Sequence, residues 1–146
     1  MIIGEHQLAV VLQASLHRAG EMLREEGGFL PFGARAKPSG EIEFLQIAPA
    51  GDTEPPAALI GRLGEGLADE ARRGEIVASA LVANARAPGA EPGDAIAVLI
   101  EAEGFCRSIM VPYRFGPERI EWGTMIPESA SPKVFADLPA AGQTIN

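Results

Sequence analysis

Two apolar alternations that meet across a turn dominate the hydropathy pattern, in the run Ala95–Phe115, AIAVLIEAEGFCRSIMVPYRF. Glu103 and Gly104 form a natural two-residue hairpin loop, because glycine takes the positive φ of the primed turns at little steric cost. That loop fixes a register in which Ala102 faces Phe105, Ile100 faces Arg107, Val98 faces Ile109 and Ile96 faces Val111. The Ile, Val and Phe side is a core face. The other side pairs Glu101 with Cys106, Leu99 with Ser108 and Ala97 with Met110, a surface too apolar for open water, and the pattern predicts that it is partly covered.

Upstream, Leu8, Val11, Leu12, Ser15, Ala19, Met22 and Leu23 recur at three-and-four spacing, predicting a helix from Glu5 to Glu26 stopped by Gly27 and Gly28. His6, Gln13, His17 and Arg24 fall on its opposite, solvent side. From Gly28 to Ala48 two alternating runs joined at Pro38, Ser39 and Gly40 predict a half-buried hairpin, with Pro31 placing the first strand at an edge, a start or a bulge. Asp52 or Thr53 is a candidate cap, and the following prolines suit a first helical turn. The second helix runs to about Arg73 on a stripe of Leu59, Ile60, Leu63, Leu67 and Ala71, with Gly74 as its stop. Gly61, Gly64 and Gly66 each cost about 1 kcal/mol in a helix interior, and close packing on the sheet is the expected compensation.

Glu75–Arg86 is apolar on both faces and predicts a strand that is central or covered on both sides, with a helix as the alternative its alanines allow. Residues 88–94 are a loop with two turn signals, and Arg119–Trp122 reads as a last strand. Beyond Pro127 the chain turns to Ser, Pro and Ala, with Val134, Phe135 and Leu138 as anchors for a surface-docked segment. These readings give a single α+β domain over residues 1–127 and an irregular C-terminal tail over 128–146. The expected fold is an antiparallel sheet of five to six strands with two helices packed on one face, in the order α-β-β-α-β-β-β.

Composition narrows the function without naming one. The 146 residues carry a net charge of −8, with 16 Glu and two Lys, which excludes a basic nucleic-acid footprint or a polybasic membrane patch. No apolar run approaches the length of a membrane span, and the first residues lack the basic and apolar regions of a signal peptide. One cysteine forms no internal disulfide and fits a reducing compartment, so the expected location is cytoplasmic. Abundant Ala, Gly and Arg with scarce Lys point to a GC-rich bacterial source.

Candidate chemistry is sparse. His6 and His17 are about 16 Å apart along the helix axis and cannot share an ion, while His17 with Glu21 supplies two ligands at best. Cys106 has Glu101 across from it, and a carboxylate raises a thiol pKa. Glu25 with Glu26 and Glu101 with Glu103 read as solvated surface. The glycines lack the lysine and the strand-to-helix context of a phosphate loop. No cofactor, metal or catalytic residue follows from these patterns, and the reading leans against an enzyme. Arg107, on the core face at the hairpin end, must snorkel, pair with an acid or hold an anion, and with Tyr113 on the same face it marks a possible ligand pocket.

The element order from Glu5 to Phe115 resembles roadblock and profilin-like domains and, less closely, the chaperones of type III secretion, which are also small, acidic and dimeric. Neither resemblance supplies a residue motif. The run FLPFGARAKPSGEIEF is similar to small uncharacterised bacterial proteins with a Pro-Phe-Gly-Ala strand before a glycine turn. The leading expectation is a non-catalytic homodimeric or protein-interaction domain, with Leu99, Cys106, Ser108 and Met110 as its interface or an exposed edge strand in that role. The alternative is a small-molecule-binding protein or minor enzyme with a pocket near Arg107 and Tyr113.

Overall fold

A computed structural model describes residues 4–51, 53–86 and 93–136 of the chain. The candidate cap Asp52, the loop over 88–92 and the anchor Leu138 lie outside those residues. The elements are α1 (Glu5–Glu26), β1 (Phe32–Ala36), β2 (Ile42–Leu45), α2 (Pro56–Arg72), β3 (Ala78–Arg86), β4 (Asp94–Ala102), β5 (Phe105–Phe115), β6 (Ile120–Trp122) and β7 (Ile126–Ser129). The class is α+β, with one antiparallel sheet in the order β2-β1-β3-β4-β5-β6 and with β7 also paired to β5.

Local chemistry accounts for the boundaries. Gly27 ends α1 in the left-handed region at φ 75°, donating its N–H to the Leu23 carbonyl at 2.9 Å. Gly74 plays the same part after α2, at φ 73°. The N-cap of α2 is Pro55, so Thr53 does not cap it. Pro31 directly precedes β1, which is an interior strand between β2 and β3. The β4–β5 register is the one that the Glu103–Gly104 loop dictates, with Ala102 opposite Phe105 and Glu101 opposite Cys106.

The two helices, expected on one face, lie on opposite faces. Strand alternation separates Ala34, Ala80 and Ile100 from their neighbours Gly33, Leu81 and Leu99. The first set packs with Val11, Ala19 and Leu23 of α1. On the other side Leu63, Leu67 and Ala71 of α2 pack with Leu81, Val134 and Phe135. The cause is the connection: β2 and β3 both run antiparallel to β1, so α2 must cross over β1 to join them. The N-terminal helix takes the face that this crossover leaves open.

The sequence pattern missed β7, because Pro127 breaks its alternation. It pairs Ile126 with Met110 and Ser129 with Arg107. Proline is tolerated there because β7 lies at the edge of the sheet. Close packing does not explain the α2 glycines as expected, since only Gly64 is buried and an added Cβ there would sit 3.6 Å from Leu81. At Gly61 and Gly66 an added Cβ would meet nothing within 4 Å.

Arg35 ties the crossover to the hairpin, reaching Glu43 of β2 at 2.9 Å and Glu70 of α2 at 2.9 Å. Glu43 also meets Lys37 at 3.0 Å. Lys37 and then Arg35 hold the Glu43 carboxyl below its ordinary value of 4.5.

Because Gly61 and Gly66 spend backbone entropy with no steric return, Gly61→Ala and Gly66→Ala each raise stability by about 0.5–1 kcal/mol in urea unfolding, and destabilisation by either would contradict the open surroundings. A carboxylate whose folded pKa is depressed contributes stability that is present above its unfolded value and lost as pH falls through the folded one. The stability gap between wild type and Glu43→Gln is therefore open above pH 4.5 and closes in acid below it, and a gap that does not change with pH would refute the pairing.

Candidate functional site

The α2 face carries a row of polar side chains crossing five strands. Register places Glu43, Arg35, Ser79, Glu101 and Cys106 side by side in β2, β1, β3, β4 and β5. Neighbouring strands lie about 4.8 Å apart, so each side chain stands beside the next. Arg35 and Glu43 satisfy one end through their ion pair. Ser79 is 1% exposed, and its hydroxyl has no hydrogen-bond partner.

Glu101 is the unusual member. It was expected to be solvated surface, and it is fully buried. Its donors come from the backbone of the segment after β7. The Lys133 N–H reaches Oε1 at 2.9 Å, the Val134 N–H reaches Oε1 and Oε2 at 3.0 and 3.1 Å, and the Phe135 N–H reaches Oε1 at 3.2 Å. Three consecutive amides around one carboxylate form a tight nest, while the Val134 and Phe135 side chains sink into the α2 cluster beside it. The signal for this burial was present in the chain: Glu101 shares a strand face with Ala97 and Leu99, an apolar stripe in which a solvated carboxylate is out of place.

Cys106, half-buried across from Glu101, is the free thiol. Burial first and the Glu101 charge second push its pKa up to about 11. A thiol in this state stays protonated at neutral pH and is a poor nucleophile. Among the described residues no group of three or more His, Cys, Asp or Glu is placed to hold a metal ion.

The other predicted site residues lie apart. Arg107 is exposed at the hairpin end, with its guanidinium 5.8 Å above the Phe105 ring. Tyr113 is six residues away on the same strand, roughly 20 Å off. Its hydroxyl donates to Asn84 Oδ1 at 3.1 Å, and Asn84 in turn donates to the Phe29 carbonyl at 3.3 Å. The structure does not bring Arg107 and Tyr113 to one cavity. Leu99 packs against the α2 and Val134–Phe135 cluster, whereas Ser108 and Met110 are half-buried in β5, paired to Glu128 and Ile126 of β7.

On the α1 side lies a feature that sequence reasoning missed. Tyr113 packs edge-on against Phe115 at 5.8 Å and against Trp122 at 6.1 Å. Trp122 reaches α1 at Gly20, where an added Cβ would lie 3.3 Å from the indole ring. Met125 continues the strip along a groove of about 300 Å³ between α1 and β6, floored by Leu16 and Val111. Phe115, Trp122 and Met125 are 54%, 44% and 45% exposed. The sequence clue was the short alternation ending at Trp122, whose register against Tyr113 depends on the turn at Gly116.

Comparison of the chain with protein-family models, with curated proteins and with solved structures found no match.

The thiol environment is directly testable. Alkylation of Cys106 by iodoacetamide, followed by mass spectrometry, reaches half its limiting rate near pH 11, and a half-maximal rate at pH 8 would overturn the burial and charge argument.

Proposed function

We propose that this protein is a non-catalytic interaction domain that forms a homodimer through the Phe115, Tyr113, Trp122 and Met125 strip. The observation that supports the reading is the continuity of that strip, since Phe115 and Trp122 both pack on Tyr113, Met125 borders the groove beside Trp122, and all three large apolar side chains are about half exposed. Aromatic side chains lose little conformational entropy on burial and dominate the cores of interfaces. A two-fold pairing would set the strip of one copy against that of another.

The aromatic strip is a better candidate than the face of Leu99, Cys106, Ser108 and Met110. That face was attractive because two helices on the other side could not cover it, and α2 with Val134 and Phe135 now packs on Leu99. Pairing through a bare edge strand is also disfavoured. β6 has three residues, β7 has four including Pro127, and β2 has four and carries Glu43, features that blunt a sheet edge against strand addition. Side-chain docking remains.

The same proposal places the protein in a reducing, cytoplasmic compartment of a bacterial cell, consistent with its lone unpaired thiol. No helix among the described residues is long and apolar enough to cross a membrane.

Light scattering coupled to gel filtration tests the dimer. The wild-type chain elutes at twice its monomer mass, and Trp122→Ser or Phe115→Ser raises the dissociation constant by about 30-fold, the effect of losing a hot-spot aromatic of about 2 kcal/mol. A wild-type monomer at every concentration, or variants that dimerise as well as wild type, would rule the interface out.

A further inference from the structure

We infer that the groove between α1 and β6 binds a small carboxylate with an apolar body. Leu16 and Val111 floor it and Trp122 and Met125 wall it, enclosing about 300 Å³, the lower end of the range for small-molecule sites. Such sites combine apolar walls with a few polar groups that fix the ligand, and here those groups are basic. His17 and Arg24 stand on the α1 rim, and no acidic side chain lines the groove. In a chain with 20 acidic and 12 basic residues, that is the reverse of the overall balance.

Arg24 is the group that selects for charge. Its Nη1 and the Trp122 ring approach one point over Gly20, where an added Cβ would lie 3.6 Å from the first and 3.3 Å from the second. Glu21, the acid one turn back along the helix, is engaged by His17 and Arg18, each at 3.8 Å. Arg24 itself forms no ion pair among the described residues. A guanidinium is always charged and meets a carboxylate through two parallel N–H···O bonds, so a carboxylate suits this rim better than a neutral head group. The apolar body of the ligand then lies on the indole and on Met125, removing exposed apolar surface from water.

The inference goes beyond the dimer reading and is separable from it, because Phe115 and Tyr113 do not line the groove. Trp122 is the single tryptophan of the chain and reports on its own site. The test titrates the full-length protein at pH 7.5 with octanoate and, separately, with 1-octanol, and follows tryptophan emission. Octanoate shifts the emission saturably to the blue, and the alcohol, with the same chain and no charge, binds about fivefold more weakly, the contrast expected of an ion pair on an exposed rim. Arg24→Gln weakens octanoate to the level of octanol and leaves octanol unchanged. Phe115→Ser binds octanoate at least as well as wild type, whatever its oligomeric state. No saturable response to octanoate, equal binding of the two probes, octanoate binding undiminished in Arg24→Gln, or its loss in Phe115→Ser would overturn the inference.

Discussion

The constraint on which the rest of this structure depends is a carboxylate buried in the middle of a sheet. Glu101 sits on the α2 face of β4 with no exposed surface, and moving such a group out of water costs several kcal/mol unless donors replace the solvent. The donors are backbone amides of Lys133, Val134 and Phe135, each hydrogen bond to a charged group contributing about 1.5–3 kcal/mol. One side chain thereby fixes the path of the chain after β7. Without that demand, Val134 and Phe135 would have apolar reasons to stay near α2 but no reason to adopt one register there.

Burial of the second sheet face then follows from connectivity. Because α2 must cross β1 to reach β3, it covers β1 and β3, and the segment held by Glu101 closes the cluster over Leu81 and Leu99. On the other side Ala34, Ala36, Ala78 and Ala80 present small side chains that let α1 approach closely. The two faces are thus built differently: helix against small residues on one, helix plus a pinned segment on the other. What neither fully covers is the end of β5 and β6, where Trp122 rests on Gly20 of α1 with much of its ring in solvent.

Local patterns in the chain carry most of the elements. The β4–β5 register was legible because a single loop glycine and strict alternation leave one solution, and both helices were legible from their apolar stripes and glycine stops. Helix placement was not, because periodicity says which side of a helix is buried and nothing about which face of the sheet receives it. That depends on strand order, and the insertion of β1 between β2 and β3 is a non-local fact. β7 was hidden by Pro127. Glu101 was misread for a different reason: a glutamate near a hairpin turn is usually solvated, and its burial depends on donors more than thirty residues downstream. The aromatic strip escaped because Phe115, Trp122 and Met125 belong to separate stretches that only the pairing of β6 and β7 with β5 assembles.

The polar row bears on what kind of protein this is. Ser79, Glu101 and Cys106 stand in sequence across three strands, the residue types from which nucleophilic sites are made, yet their surroundings oppose that use. A nucleophile needs a base that can take its proton, and the Glu101 carboxylate already accepts from three amides. The thiol beside it is pushed towards its neutral form by burial and by that same charge, the reverse of the electropositive setting that activates a cysteine. Ser79 is sealed from solvent. The energy invested in burying these groups is recovered in geometry, by fixing where a chain segment lies and which donors it presents.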